Sequence, residues 1–226
     1  MKIVVTGALG HIGSHLIRRL ADFFPDCEVV MIDNLSTQRF PSLFNLPVNA
    51  RYRFIEGDVT TMELEALFMG ANAVVQLAAI TDATSSFDRA GEVERVNLMA
   101  TRRVADACAV TGAPMIMASS TSVYGTQENH VDEDCSPEEL KPQSPYAETK
   151  LKEEALNKLR NLDEAQKITM DPDELKVLKK QARVTTGGEG LFDVFKKVLL
   201  RNKTSDAELD NLSHSLLEKI KLDAPV

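Results

Sequence analysis

The first thirteen residues limit what this chain can become more than any other stretch. Lys2–Thr6 is a short apolar run that feeds directly into Gly7-Ala8-Leu9-Gly10-His11-Ile12-Gly13. A helical pattern follows over 11–24, with Ile12, Leu16, Ile17 and Leu20 on one side. A strand, a glycine turn and a helix in immediate succession leave backbone N–H groups and a positive helix end facing outward, which suits a negatively charged ligand. The glycines permit the tight turn, let the backbone approach a pyrophosphate and let the helix pack closely on the strand.

Further apolar runs alternate with helical patterns through the first two-thirds. Strands are expected at 28–32, 52–55, 73–78 and 114–118, and helices at 61–69, 91–110 and 146–160. Strands without polar alternation, separated by helices, are those of a parallel sheet covered on both faces. Right-handed crossovers then make the fold α/β, a Rossmann-like doubly wound sheet that binds ligands beyond the carboxyl ends of its strands. We expect a dinucleotide-binding domain over 1–160 and a mostly helical segment over 161–226. Asp171-Pro172-Asp173-Glu174 reads as a helix start, with Asp171 as N-cap and Pro172 at the first position. Two apolar helical stripes follow, one from Leu191 to Leu199 and one from Leu209 to Ile220. A short strand over 183–185 is the one further strand this segment offers, and the glycines at 187, 188 and 190 read as a helix-ending turn.

Of 226 residues, 43% are hydrophobic and 27% charged, which is ordinary globular usage. The formal net charge of -8 argues against a nucleic-acid or anionic-membrane binder. Cys27, Cys108 and Cys135 are widely spaced and read as reduced thiols, so a cytoplasmic location is expected. No secretory leader or membrane span is expected. His15 and His214 have no neighbours at metal-ligand spacing, so no metal is expected, and His130 reads as a surface-loop histidine and not a proton shuttle.

Asp33 falls 20 residues after Gly13, at the end of the second strand. There a carboxylate accepts hydrogen bonds from the adenosine ribose hydroxyls and repels a 2′-phosphate, favouring NAD over NADP. A solvated turn aspartate in Ile32-Asp33-Asn34-Leu35 is the other reading. Asp58 likewise fits either the adenine edge or a turn. Tyr146 and Lys150 lie four residues apart, on one face of the expected helix, with Pro145 suited to its first turn. A neighbouring ammonium favours the phenolate, so a lowered tyrosine pKa is expected, as an acid/base group working near neutral pH requires. Taken alone, the pair also fits a packing tyrosine above an exposed lysine. The cluster Ser119-Ser120-Thr121-Ser122 likewise fits an ordinary strand end.

Together these blocks resemble the extended short-chain dehydrogenase/reductase family, in its NAD-dependent nucleotide-sugar epimerase/dehydratase branch. The matching stretches are TGALGHIG, MIDNLST, EGDVT, VVQLAA, VNLMATRRVADAC, ASSTSVYG and PQSPYAETK, covering about residues 1–155 in family order. The resemblance implies that Gly7, Gly10, His11, Ile12 and Gly13 line the pyrophosphate, with Asp33 and Asn34 at the ribose. It places Asp58 and Val59 beside the adenine and Leu77, Ala78 and Ala79 along the nicotinamide half, with Asn97 supporting that loop. Ser120, Tyr146 and Lys150 become the catalytic set, with Tyr146 and Lys150 also among the cofactor-binding residues. Tyr146 takes a sugar-hydroxyl proton as hydride leaves for NAD, Lys150 holds the cofactor ribose, and Ser120 bonds the reacting oxygen.

The same resemblance implies a cytoplasmic enzyme on a nucleotide-sugar substrate, and a homodimer paired through the helices at 91–110 and 146–160. Family members that remove water carry Asp-Glu after the catalytic threonine. Here Thr121-Ser122 follow Ser120, so an epimerase, for example a UDP-sugar 4-epimerase, is expected over a 4,6-dehydratase. After Lys152 the resemblance ends, with no arginine–asparagine segment closing in Tyr-Gly-Pro. A non-catalytic or truncated NAD-binding module is therefore the alternative.

Overall fold

A computed structural model describes residues 1–81, 87–126 and 139–167, with 158–167 given by backbone alone. Five strands, β1 (Lys2–Thr6), β2 (Glu28–Asp33), β3 (Arg51–Glu56), β4 (Ala73–Gln76) and β5 (Met115–Met117), form one sheet. All the pairings are parallel and the order is β3-β2-β1-β4-β5. The connections run outward from β1 in one direction and from β4 in the other, so the crevice between them is where a doubly wound sheet takes its ligand. The helices are α1 (His11–Phe23), α2 (Glu65–Phe68), α3 (Ala90–Thr111) and α4 (Pro145–Lys167), with 3-10 turns at Phe40–Leu43 and Thr121–Tyr124. The expected doubly wound fold is present.

Strand alternation splits the apolar run of β1 between two cores. Ile3 and Val5 pack with Leu16, Ile17 and Leu20 of α1. Val4 packs on the other face with Phe68 of α2 and Ala100 and Val104 of α3. Leu16, Ile17 and Leu20 are at most 1% exposed, and burial of each stabilises by roughly 1.5–3 kcal/mol. The helix is thus anchored along its middle, while Ile12 in its first turn is 51% exposed and free to meet a ligand.

Some boundaries differ from expectation for identifiable reasons. The helix expected over 61–69 is only Glu65–Phe68. Asp58 takes the Thr60 N–H with its side chain, and its carbonyl takes the N–H groups of Thr61 and Met62, making a turn first. β4 stops at Gln76 instead of 78, because the Thr6 hydroxyl accepts the Leu77 N–H at 3.2 Å and bends the chain. α4 continues past 160 to Lys167, since no glycine or proline interrupts the sequence between Pro145 and Pro172. The features expected over 168–226 lie outside the described residues, as do His130 and Cys135. Among the described residues, no helix is long and apolar enough to cross a membrane.

Candidate active site

The glycine turn is built so that side chains cannot enter it. Gly7 has φ +62°, and a Cβ there would lie 2.7 Å from the backbone of Leu77 and Ala78. At Gly13 a Cβ would come within 2.3 Å of the Gly7 carbonyl oxygen. The first position needs left-handed backbone and the second needs close helix packing, two separate demands met by one residue type. Gly10 is the N-cap of α1 and provides no side chain to the helix end. The turn therefore presents backbone donors and the positive end of a 13-residue helix, a cradle that fits a dinucleotide pyrophosphate. His11 is exposed there and contacts the Arg39 guanidinium, Nε2 to Nη2, at 2.5 Å. The Ser42 hydroxyl braces the turn from outside by donating to the Leu9 carbonyl at 3.1 Å.

At the end of β2, Asp33 ties two backbones together. Its Oδ2 accepts the Leu9 N–H at 3.0 Å and its Oδ1 accepts the Leu35 N–H at 2.9 Å. It is therefore a brace of the glycine turn, half-buried, with lone pairs left for a ligand. Asn34 donates to Asp58 at 3.3 Å, linking the ends of β2 and β3. Burial of Asp58 opposes its charge, but the Thr60 hydroxyl and N–H and the Asn34 amide outweigh this and hold its pKa below the usual carboxylate value. Val59 beside it is buried.

The loop after β4 is fastened from both sides. Thr6 and Gln76, both buried, hydrogen-bond side chain to side chain across the strand pair. The Gln76 amide donates to the Ala78 carbonyl at 2.9 Å. Asn97, fully buried on α3, accepts the Ile80 N–H at 2.8 Å and donates to the Ile80 carbonyl at 3.0 Å. Leu77, Ala78 and Ala79 thus form a half-buried shelf against Gly7.

Beyond β5, Ser120 caps the 3-10 turn: its Oγ accepts the Ser122 N–H at 3.2 Å and lies 2.7 Å from the Ser122 hydroxyl. α4 packs on that turn. Ser144 caps α4 by accepting the Ala147 N–H at 3.1 Å, and Pro145 occupies the first helical position. Tyr146 and Lys150 share one face, with the Lys150 Nζ 5.8 Å from the Tyr146 ring centre. Lys150 is 5% exposed and reaches toward the Ala118 carbonyl at 3.4 Å.

The expected lowering of the Tyr146 pKa is not found in the protein's own groups. Burial first, and then the negative charge of Glu153, push it up to about 12. Lys150 is engaged elsewhere, in a buried ion pair with Glu153 at 3.1 Å. Glu153 is also raised, by burial first, while Lys150 and the Thr101 hydroxyl pull it down and Glu154 pushes it up.

Several residues here escaped the sequence reading. Thr6 and Gln76 sit at strand ends where a polar side chain inside an apolar run was the available signal. Glu153 reads as a solvated helix residue, yet Tyr146, Lys150 and Glu153 are spaced i, i+4, i+7, which is one face. Glu154 bonds the Ser119 hydroxyl and tethers α4 to the end of β5. Cys27 and Cys108 are buried thiols, and burial raises the pKa of Cys27. Among the described residues no group of His, Cys, Asp and Glu is arranged to hold a metal.

Known proteins resemble this chain over the same region. The model of the NAD dependent epimerase/dehydratase family matches residues 3–169. An uncharacterised UDP-glucose epimerase of Bacillus subtilis is 35% identical over 163 residues, covering 69% of this chain and 50% of the relative. The dTDP-D-glucose 4,6-dehydratase of Mus musculus is 33% identical over 156 residues, covering 66% of this chain and 43% of the relative. Among solved structures, a UDP-glucuronic acid 4-epimerase from Bacillus cereus in complex with NAD superposes with a TM-score of 0.61 at 33% identity. That match covers 71% of this chain and 52% of the other. The chain spans about half the length of these curated relatives. With the glycine cradle, the sheet order and the matched region in agreement, this chain belongs to the NAD dependent epimerase/dehydratase family.

Proposed function

We propose that this chain binds NAD and carries the hydride-transfer chemistry of a nucleotide-sugar epimerase. The observation that carries the reading is the placement of two constellations at one edge of the sheet. The glycine cradle follows the carboxyl end of β1, and the Ser120 turn with the Tyr146–Lys150 face of α4 follows the carboxyl end of β5. NAD when bound supplies the hydride acceptor and, as its oxidised ring, a positive charge.

The rest is done by the chain. Gly7, Gly10, His11, Ile12 and Gly13 hold the pyrophosphate, with Asp33, Asn34, Asp58 and Val59 at the adenosine. Leu77, Ala78 and Ala79, fixed by Asn97, border the nicotinamide half. Tyr146 takes the proton of the sugar hydroxyl being oxidised and returns it when the keto group is reduced from its other face. Ser120 hydrogen-bonds the reacting oxygen, and Lys150 bonds the ribose and carries positive charge toward Tyr146. With its pKa pushed up to about 12, Tyr146 holds its proton tightly in the protein alone, so acting as a base requires added positive charge, such as the oxidised ring of bound NAD would supply.

Epimerisation is favoured over 4,6-dehydration because Thr121-Ser122 stand where the resemblance places Asp-Glu in dehydratases. No net redox change is then expected. The test is to incubate the chain with NAD and a panel of UDP- and dTDP-hexoses, following both C4 epimers and 4-keto products. Epimer formation abolished by Tyr146→Phe supports the proposal. A 4-keto-6-deoxy product supports the dehydratase instead.

The second reading is an NAD-binding module without turnover of its own, favoured by the chain's covering about half of its relatives. Cofactor binding with no product across the panel supports it. A homodimer through α3 and α4 is proposed as well. Met99 and Val110 leave apolar surface on α3, 40% and 70% exposed. A monomeric mass by light scattering at high concentration counts against the dimer.

A further inference from the structure

We propose that Glu153 is a positioning residue of this site: its buried carboxylate holds the Lys150 ammonium and offsets its charge, so that Tyr146 stays a neutral phenol until further positive charge comes to bear. The inference deepens the hydride-transfer reading and rests on it for its effect on turnover, though not for the titration that tests it.

The geometry begins with one helix face. Tyr146, Lys150 and Glu153 follow one another at i, i+4 and i+7 along α4, and the side chains of the last two are 7% and 2% exposed. The Glu153 Oε2 accepts both the Lys150 Nζ at 3.1 Å and the Thr101 hydroxyl at 2.8 Å. Its Oε1 is buried with no hydrogen-bond partner among the described residues. A carboxylate half satisfied in a buried place is a poor stabiliser, because desolvation offsets most of what the ion pair returns. An apolar side chain against α3 would pack there at no such cost. Stability alone therefore gives little reason for a charge at this position, whereas its electrostatic reach to Tyr146 gives a direct one.

The surroundings leave Glu153 and Lys150 as the deciding charges. On α4, Glu154 is turned to the Ser119 hydroxyl and Lys152 is paired with Glu94 of α3 at 2.6 Å. From α3, the group meeting Glu153 is Thr101, which carries no charge, and Arg102 and Asp106 lie on an exposed face as an ion pair of their own. From the end of β5 come the Ala118 carbonyl on Lys150 and the uncharged hydroxyls of Ser119, Ser120 and Ser122. Burial, followed by the Glu153 charge, raises Tyr146. The Glu153 carboxylate, 3.1 Å from the Lys150 Nζ, offsets the pull of the ammonium on the phenol. Removing the negative member of the pair releases it toward the phenol.

The chain contains three tyrosines, so NMR of the full chain labelled at the tyrosine Cζ resolves each phenol's titration, with Tyr146→Phe assigning the signal. Glu153→Gln is expected to lower the Tyr146 midpoint by about one pH unit or more. Glu153→Asp keeps the charge and is expected to move it less than half as far. An unmoved midpoint in Glu153→Gln, or an equal shift in Glu153→Asp, overturns the proposal. Should Glu153→Gln fail to fold by circular dichroism, the carboxylate is read without its partner. Lys150→Met/Glu153→Met is then expected to titrate about one unit below Lys150→Met, and equal midpoints overturn the proposal. In turnover, Glu153→Gln is expected to shift the rising limb of the kcat profile to lower pH with KM little changed. Absence of turnover in the unaltered chain sinks the hydride-transfer reading and leaves the titration result standing.

Discussion

The two ends of the binding edge are made of different materials. The glycine-turn side, around β1, α1 and β2 and proposed to take the adenosine, is a backbone construction in which Gly7 and Gly13 exclude side chains and Asp33 pins two N–H groups. The side proposed to be catalytic, around β5 and α4, is a side-chain construction in which a phenol, an ammonium and a carboxylate share one largely buried helix face. A backbone site has its chemistry fixed once the chain folds. A site of titratable groups keeps its chemistry adjustable, because each pKa answers to its neighbours. The glycine cradle and the titratable helix face can therefore be adjusted separately.

That contrast can be broken in several places. The largest effect is expected from Tyr146→Phe, which should reduce turnover between about 10²- and 10⁴-fold while NAD affinity changes little. A comparable loss of NAD affinity would mean that the tyrosine belongs to the cradle. Gly13→Ala should destabilise the chain by about 3 kcal/mol or more in denaturant titration, since backbone and not a flexible side chain meets the new Cβ at 2.3 Å. A normal midpoint with normal NAD binding would remove the claim that this turn admits no side chain. Asn97→Ala leaves the Ile80 N–H and carbonyl without their side-chain partner and should cost about 2 kcal/mol.

The smallest effects separate the two ends by the sign of their pH dependence. The folded pKa of Asp58 lies below its ordinary 3.8, so its stabilisation is present above that value and is lost as pH falls through the lower one. The folded pKa of Glu153 lies above its ordinary 4.5, so stability is greatest below that value and declines as pH rises through the higher one. Denaturation midpoints across acid and neutral pH should lose the first slope in Asp58→Asn and the second in Glu153→Gln. Slopes of the same sign would contradict the burial assigned to one of them.

The legibility of the sequence follows the same division. Residues 1–13 disclosed the strand, turn and helix because each step there demands a residue type by steric rule, and Gly7 and Gly13 meet two different rules. The parallel sheet was readable from β1, β2 and β4, whose interior residues are buried on both faces and do not alternate with polar ones, whereas the edge strand β3 exposes Arg51 and Arg53 in alternation. The start of α2 was misread because a side chain decides it: Asp58 captures the N–H and hydroxyl of Thr60 and delays the helix. The direction in which the protein's own groups push the Tyr146 pKa was not legible, because spacing gives proximity to Lys150 but gives neither the depth of burial nor the competing claim of Glu153. A charged residue on a helix looks solvated until the partner helix is in place, and packing with α3 brings Thr101 onto Glu153.

The bracing role of Asp33 carries a cost for any descendant of this chain. Discarding that carboxylate to admit a phosphorylated adenosine would also strip the acceptors from Leu9 and Leu35, loosening the loop that the new ligand must grip. A change of coenzyme is thereby tied to conformational integrity. Engineering it would call for a second substitution that re-anchors both amides before the negative charge is given up.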